Sequence, residues 1–381
     1  MSNGHDRASG VLAQASGPEN AESAVIAPTP GDGVDVLSDV LRAVRLSGAL
    51  FFLTDASSPW AAPVPAASEL TPVLLPRAQH LISYHVVTSG SCWCETADAP
   101  PLHLDTGDVV VIPHGDAYQL SSPAGHCVHW PPDEMIAFFR GMSVRDYPFV
   151  VTEGGGGRDH VTVLCGFLGC DVAPFNPVLA ALPSMLHVPR RAGVRGDHLG
   201  HLVDFTMEES RTRDAGTECV LLRIAELMFV EVVRRYLAGI VPEQTGWLAG
   251  LRDPVVGHVL ALLHRHPERA WTLPELAREV SQSRSVLAER FTHFVGTPPM
   301  QYLGRWRMQL AARMLADGSA KVAAIAASVG YESEAAFSRA FTRVTGVPPA
   351  AWRRNVASRI QQEGRGPATR ASRATDIPGA A

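Results

Sequence analysis

The sequence predicts an α+β protein, with a small β-barrel in its N-terminal half and an all-α C-terminal domain that holds two tandem helix-turn-helix units. Two patterns indicate this division. Short apolar runs separated by glycine and proline fill residues 49–167, which is typical of a β-barrel or sandwich. Near the C-terminus, a pattern of serine, phenylalanine, glycine and a diproline occurs twice, 50 residues apart. Because a whole unit repeats, a generic helical bundle is the weaker alternative.

The composition bounds the class of protein. A chain of 381 residues that is 46% hydrophobic is long enough for two or three domains with cores of their own. No run approaches the roughly 18 apolar residues of a membrane span. The N-terminus is polar and lacks the apolar centre of a secretion signal. Six cysteines do not form the dense framework of a small secreted protein. We therefore expect a cytoplasmic protein with reduced thiols and no membrane partner.

The charge is divided unevenly along the chain. The formal net charge is −5, but residues 1–252 carry 16 basic and 28 acidic side chains, whereas residues 253–355 carry 13 and 8. A basic C-terminal domain beside an acidic remainder suits contact with phosphate groups by one end of the molecule only. The charge distribution therefore agrees with nucleic-acid binding by the repeated units.

Composition and periodicity also suggest domain boundaries. The two ends are rich in small residues and proline without periodicity, which predicts disordered tails. Glycine and proline interrupt the pattern again near residues 237–254, which predicts a linker. The expected order is a disordered tail at 1–33, a β-rich sensor domain at 34–190, a helical connector or dimerisation segment at 191–252, a DNA-binding domain at 253–355 and a disordered tail at 356–381.

The N-terminal half opens with an amphipathic helix at 34–46 and continues as strands. The predicted strands are short and apolar, and turn residues such as Gly90 and Gly107 separate them. They are Ala49–Leu53, Leu81–Thr88, Cys92–Thr96, Val109–Ile112, Tyr118–Ser121 and Val161–Phe167. A helical segment follows at 199–237, and its second part is apolar on nearly all sides. Such a helix is covered by its own chain or by a partner, so a homodimer is one expectation.

The first helix-turn-helix unit begins at a predicted capping box, with Thr272 as N-cap and Glu275 three residues later. Ser283 is expected to cap the second helix, in which Leu287 and Phe291 form a buried stripe. In a helix-turn-helix the outward residues near the start of the second helix meet base edges in the major groove. Here these residues are Arg284, Ser285, Ala288 and Glu289.

The second unit repeats this arrangement. Ser333 is the predicted cap, Gly346 ends the helix, and the predicted buried stripe consists of Phe337, Phe341 and Val344. The helix predicted at 300–316, about 25 Å long, separates two recognition helices that are expected to lie about one DNA turn apart. The outward residues of the second recognition helix are Glu334, Ala335, Ser338 and Arg339.

Residues 253–354 resemble the AraC/XylS-type DNA-binding domain, most specifically at Ile325–Ser333, Phe337–Phe341 and Gly346–Arg353. This resemblance implies a transcription regulator that binds double-stranded promoter DNA through both recognition helices and acts on RNA polymerase. The matching positions of the family's DNA contacts are the eight outward residues named above. Arg305 and Arg307, together with Arg284 and Arg339, are expected to contact phosphates.

The stretch Gly107–Tyr118 resembles the second conserved motif of cupin barrels, and residues 35–190 resemble the cupin sensor domain of some AraC-type regulators. The resemblance implies regulation by a small-molecule or oxidant effector. This chain departs from metal-binding cupins, because Tyr118 stands where the second motif usually has histidine and Val87 interrupts the His-x-His pair after His85. We therefore expect no metal and no cofactor.

The same segment is rich in histidine and cysteine, which leaves alternatives open. Cys92 and Cys94 share one face of a strand, so with His85 they are candidates for zinc binding, or with Cys165 for oxidation, as well as for plain burial. His85, Cys92, Cys94, Tyr118 and Cys165 are the candidate effector or redox residues. The rival functions are a metal-dependent cupin enzyme and a protein-binding scaffold of helical repeats.

Overall fold

The computed structural model describes most of the chain and leaves out both ends. The described residues are 34–44, 46–76, 78–142, 150–190, 197–211, 214–241 and 244–363. The predicted tail at 1–33 lies outside them, as do residues 364–381 of the second predicted tail. Residues 356–363, which we assigned to that tail, instead continue the last helix, which spans Pro349–Glu363.

The N-terminal half contains ten strands and four helices within the described residues. In chain order they are α1 (Val36–Ala43), β1 (Leu46–Ser57), β2 (Trp60–Val64), α2 (Ala67–Leu74), β3 (His80–Ser89), β4 (Ser91–Thr96), β5 (Ala99–Asp105), β6 (Val109–Ile112), β7 (Tyr118–Ser122), α3 (Pro132–Met142), β8 (Val150–Gly154), β9 (His160–Cys170), α4 (Pro177–Ala181) and β10 (Leu186–Val188). All six predicted strands are confirmed.

The strands form two sheets that face each other across an apolar core. The larger sheet has the order β10-β6-β3-β9-β1-β8 and the smaller one β2-β7-β4-β5. The core between them includes Phe52, Leu81, Val87, Leu104 and Phe167, all of them buried. This β-rich half confirms the predicted fold class for the N-terminal domain.

Ten further helices follow. They are α5 (His198–Arg211), α6 (Thr217–Gly239), α7 (Trp247–Arg252), α8 (Pro254–Arg265), α9 (Leu273–Glu279), α10 (Arg284–Val295), α11 (Pro299–Asp317), α12 (Val322–Ser328), α13 (Glu334–Thr345) and α14 (Pro349–Glu363). Helices α5 and α6 pack against each other, and α6 also lies against β1 and β10. Leu227 on the opposite side of α6 is 54% exposed.

The segment predicted as a linker contains the buried helix α7. Trp247 and Leu248 are buried, and α7 packs against α8 and α10 as well as α4 of the sensor domain. The guanidinium of Arg252 donates to the carbonyl oxygens of Leu237, Ala238 and Ile240 at the end of α6, at 3.2, 3.2 and 2.7 Å. Tertiary packing therefore replaces the flexible connection that glycine and proline suggested.

Two separate cores hold the C-terminal helices. Leu276 and Phe291 of the first helix-turn-helix unit and Trp306 of α11 belong to one continuous core with Val40 and Leu182 of the sensor domain. The second unit has its own core, which includes Met308, Ile325, Phe337 and Phe341. Helix α11 contributes to both cores.

Candidate nucleic-acid interface and barrel cavity

The first helix-turn-helix unit, α9 with α10, has the predicted caps. The Thr272 side chain accepts from the backbone N–H of Glu275 at 3.4 Å, and the Glu275 carboxylate accepts from the backbone N–H of Thr272 at 2.8 Å. Ser283 Oγ accepts from the backbone N–H of Val286 at 3.3 Å at the start of α10. Ser281 occupies the turn with a left-handed φ of 51°. Both predicted caps are confirmed, while the strained serine in the turn was not foreseen.

The second unit, α12 with α13, turns at Gly330, whose φ is 80°. A Cβ atom on this residue would lie 2.4 Å from the carbonyl oxygen of Glu268 and 2.6 Å from Arg307 Nη2. The close approach and the left-handed backbone both require glycine there. Ser333 Oγ accepts from the backbone N–H of Ala336 at 3.2 Å, which confirms the predicted cap of α13.

The predicted base-contacting residues lie on the outward faces of α10 and α13. Two of the eight, Ala288 and Ser338, are half-buried. The other six are exposed, namely Arg284, Ser285, Glu289, Glu334, Ala335 and Arg339. Within the described part of the chain, Arg284 and Arg339 have no salt bridge. Helix α10 therefore presents one arginine that is free to meet a base or a phosphate, and α13 presents two, because Arg343 is also exposed and has no salt bridge among the described residues.

Arg305 and Arg307 do not lie with this set. Arg307 donates to the carbonyl oxygens of Pro267 at 2.6 Å and Arg269 at 2.8 Å, and burial lowers its pKa. The exposed Arg305 has its guanidinium carbon 6.0 Å from the ring centroid of Phe175 in the sensor domain. The sequence pattern identified both as cations on α11, but only the fold shows that one joins the helix-turn-helix units and the other faces the sensor.

An ion pair that sequence analysis missed fixes the first recognition helix. Asp253 accepts from the backbone N–H groups of Val255 and Val256 at 3.0 and 2.9 Å, which caps α8. Its carboxylate also accepts from Arg290 on α10, with an Nη2–Oδ2 distance of 2.6 Å. Burial alone would raise the pKa of Asp253, but these hydrogen bonds and the Arg290 charge outweigh burial and lower it. A comparison of the two repeats could have indicated this ion pair, because the second unit has Ala340 at the position that corresponds to Arg290.

The long helix α11 also joins the DNA-binding domain to the sensor. Gln309 is only 4% exposed. Its amide nitrogen donates to the Ala43 carbonyl oxygen at 3.0 Å, and its amide oxygen accepts from the backbone N–H of Phe175 at 3.0 Å. One turn further on, Arg313 donates to the carbonyl oxygen of Arg42. A single face of α11 thus binds the backbone of the sensor domain at several points.

A buried histidine lies at the same junction. His264 Nε2 is 2.8 Å from the hydroxyl of Tyr302, and its ring stacks on Trp306 with centroids 4.2 Å apart. His264 Nδ1 is 3.9 Å from a carboxylate oxygen of Asp39 on α1. Burial lowers the pKa of His264 to about 3 and raises the pKa of Asp39. The histidine is therefore neutral at physiological pH.

The barrel holds a partly open cavity, and the empty space of the cavity and its open mouth together is about 540 Å³. His85, which is 1% exposed, contributes to its wall from β3. His85 Nε2 is 2.5 Å from the hydroxyl of Tyr118, while Nδ1 has no hydrogen-bond partner within the described residues. Burial lowers the pKa of His85 to about 3. A buried ring nitrogen without a partner is a polar group that a bound molecule would satisfy.

The candidate cysteines are buried thiols. Cys92, Cys94 and Cys165 are at most 2% exposed, and Thr54 Oγ1 lies 3.5 Å from Cys165 Sγ. Burial raises the pKa of Cys94 and of Cys165 to about 12 and that of Cys92 further. Oxidants react with the thiolate, which these surroundings suppress. Across the described residues, the histidine, cysteine and acidic side chains form no group of three or more suited to a metal ion.

Comparison with known proteins covers both halves of the chain. A family model described as Cupin matches residues 35–238, and a model described as a helix-turn-helix domain matches residues 276–355. The helices in the described part of the chain are too short or too polar to cross a membrane.

Several characterised and solved proteins are similar to this chain. A putative AraC-like transcription regulator from Streptomyces lividans is 32% identical over 324 residues, which cover 84% of this chain and 99% of that relative. The HTH-type transcriptional regulator AlkR from Acinetobacter baylyi is 30% identical and covers 70% of this chain and 85% of its own length. The solved DNA-binding domain of the global transcriptional factor AdpA, in complex with a target DNA, is 30% identical, with a TM-score of 0.28, over 29% of this chain and 98% of that domain.

Proposed function

The chain belongs to the AraC-like transcription regulators, with a cupin domain ahead of a DNA-binding helix-turn-helix domain, and from this premise we propose how it reads DNA and what it senses. The outward faces of α10 and α13 enter successive major grooves of promoter DNA. The single observation that carries this proposal is the matched pair of capped helices, each with at least one exposed arginine outside any salt bridge of the described residues.

Each contact residue has a role that follows from its chemistry. Arg339 and Arg284 donate to guanine or to phosphate oxygens, and Ser285 and Ser338 donate to either. Glu289 and Glu334 accept from cytosine amino groups. Ala288 and Ala335 offer only methyl groups, which fit beside the methyl group of thymine. This assignment leaves out Arg305 and Arg307 and adds the exposed Arg343 on α13 as a phosphate contact.

Binding to the DNA upstream of the gene, measured by fluorescence anisotropy across a salt series, tests the assignment. Arg339→Ala should weaken specific binding by about 1–3 kcal/mol, which is about 5- to 150-fold. Arg158→Ala, at an exposed arginine of the sensor domain outside the recognition helices, is the matched control. Equal affinities for Arg339→Ala and the unchanged protein would remove α13 from the interface.

A variant on α11 tests whether Arg307 stabilises the fold or contacts phosphate. Arg307→Ala should lower thermal stability, because two backbone carbonyl oxygens lose their donor. The dependence of DNA affinity on salt should keep its slope in the folded variant, since a lost phosphate contact would reduce that slope by about one. A reduced slope with unchanged stability would return Arg307 to the set of phosphate contacts.

We propose that the effector is a small molecule bound in the cupin barrel, not an oxidant or a metal ion. The cavity and the unpartnered nitrogen of His85 support a ligand site, and the raised thiol pKa values oppose oxidation. Cys92→Ser should therefore leave induction unchanged in a reporter strain treated with hypochlorite. Loss of an oxidant response in that variant would favour the redox alternative. Without a group of converging ligands among the described residues, we assign the barrel no enzymatic role.

Family membership supports three further proposals. The protein acts in the cytoplasm, contacts RNA polymerase at its promoter, and forms a homodimer through the exposed side of α6 around Leu227. Light scattering on wild-type protein and a Leu227→Glu variant tests the dimer. A monomeric wild-type protein at micromolar concentration would contradict it.

A further inference from the structure

The lining of the barrel cavity is mostly apolar and carries charge of one sign. Most of the lining is apolar, from residues such as Leu120, Met135 and Val151. Four aromatic side chains also line it, namely Phe52, Trp130, Phe138 and Phe139. Glu153 is the one charged side chain among the described residues of the lining, and no lysine or arginine faces it there. The charge of this lining is therefore negative, which favours a positively charged ligand.

The position of Glu153 follows from the alternation of β8. Val150, Thr152 and Gly154 are exposed, whereas Val151 and Glu153 are half-buried and line the cavity. Parallel pairing with β1 places Glu153 beside Ala56 at the edge of the larger sheet. Among the described residues its carboxylate has no hydrogen bond or ion pair, and burial raises its pKa. A half-buried carboxylate without a counter-charge is unfavourable, and a bound cation removes that cost.

The aromatic side chains of the lining also favour a bound cation. The ring centroids of Trp130 and Phe138 are 5.4 Å apart, those of Phe138 and Phe139 5.5 Å, and both pairs meet edge to face. Faces of such rings attract ammonium groups, most strongly when the groups are desolvated. The same rings bind an alkyl or aromatic body through apolar contact. A carboxylate ligand would meet Glu153 with like charge and find no cation in this lining.

His85 and Glu153 lie far apart in the lining of the cavity. His85 on β3 and Glu153 on β8 are separated by β9 and β1, so three strand spacings, about 14 Å, lie between their strands. A ligand that extends from Glu153 to His85 is therefore elongated.

We propose that the cupin barrel binds an elongated organic cation, with an apolar body along the aromatic wall and an ammonium group beside Glu153. This inference deepens the proposed function, because it names the chemical class of the effector for that barrel site. It assigns charge recognition to Glu153, which no motif in the sequence singles out.

A matched set of probes tests the charge preference on the full-length protein itself. Decylamine, decan-1-ol and decanoate share one chain length and differ in charge. Isothermal titration below micelle-forming concentrations should show decylamine binding at least tenfold more tightly than either of the others. Equal binding of decan-1-ol, or tighter binding of decanoate, would overturn the cationic assignment.

Variants then locate the charge. Glu153→Gln keeps the size and the edge-strand position of the side chain, and it should weaken decylamine binding about tenfold while leaving decan-1-ol unchanged. Glu134→Gln, an exposed residue of α3 outside the lining, is the control. Loss of decylamine affinity in both variants, or in neither, would contradict a contact with Glu153. Circular dichroism checks that each variant is folded.

The outcome is separable from the proposed DNA contacts and effector role. Anisotropy with promoter DNA, with and without decylamine, measures these in parallel. Failure of all three probes to bind would overturn the cation proposal and leave the Arg339→Ala result standing. Specific decylamine binding that leaves DNA affinity and transcription in vitro unchanged would support the site and overturn its role as the effector site.

Discussion

The two helix-turn-helix units share a sequence pattern but differ in what surrounds them. The first unit is buried in a core that continues into the sensor domain, and Asp253 and Arg290 tie its recognition helix to α8. The second unit has a core of its own and lacks that ion pair. The first unit is therefore joined to the sensor domain through a shared core, whereas the second unit is joined to it through α11. Two copies of one sequence pattern differ in what they pack against, because the pattern determines the helices of each unit but not their neighbours.

The largest expected effect distinguishes the two cores. Phe291→Ala and Phe341→Ala each remove a fully buried ring at equivalent positions of the repeat, at a cost of about 3–5 kcal/mol. We expect Phe291→Ala to raise hydrogen exchange in α9, α10 and the adjoining sensor elements together. Phe341→Ala should raise it in α12 to α14 alone. Hydrogen exchange with mass spectrometry resolves these segments, and identical patterns for the two variants would contradict separate cores.

The ion pair of the first unit gives the next effect. Asp253→Ala removes both the cap of α8 and the partner of Arg290, which should lower the free energy of unfolding by about 2 kcal/mol. Asp317→Ala breaks an exposed pair with Arg313 and should cost less than about 0.5 kcal/mol. Urea unfolding of both variants makes the measurement. A similar loss for the two would show that Asp253 does not fix the first unit.

The buried histidine makes the first unit sensitive to acid. His264 has an ordinary pKa of 6.5, which burial lowers to about 3 in the folded protein, so below pH 6.5 the unfolded chain binds a proton that the folded chain does not. Its contribution to stability is complete above pH 6.5 and is lost at about 1.4 kcal/mol per pH unit as the pH falls.

The variant His264→Phe isolates the contribution of this residue to the pH dependence of stability. A variant is needed because His85 in the barrel adds a pH dependence of the same sign. Asp39, whose pKa is raised, adds one of the opposite sign above pH 3.8. Urea unfolding of the variant between pH 7 and 5 should show a shallower loss of stability than the wild type. Parallel curves would place the proton uptake elsewhere.

The smallest effect concerns the turns. The first unit holds Ser281 at a left-handed φ where the second unit has Gly330. Ser281→Gly should relieve strain and raise the free energy of unfolding by up to about 1 kcal/mol. Ser319→Gly, at an exposed site without that backbone conformation, is the control. A destabilised Ser281→Gly variant would mean that the serine side chain contributes more than the backbone strain costs.

The local features of this protein follow from short stretches of its sequence. The capping residues Thr272, Ser283 and Ser333 were predictable, because each depends on residues within one or two turns. The buried stripes of the recognition helices were predictable for the same reason except at Val344, which is 40% exposed. The six predicted strands were recognised for the same reason, from short apolar runs between turn residues. The repeat itself, and with it the DNA-binding fold, was visible in one chain.

Contacts between side chains that are far apart in the chain depend on the tertiary structure. Arg307 is satisfied by carbonyl oxygens about 40 residues away, and Gln309 is held by the sensor domain 266 residues from Ala43. Glu153 faces a cavity because β8 pairs in parallel with β1, about 100 residues earlier. Periodicity gives the face of an element but not its neighbour, since the neighbour depends on how distant elements pack.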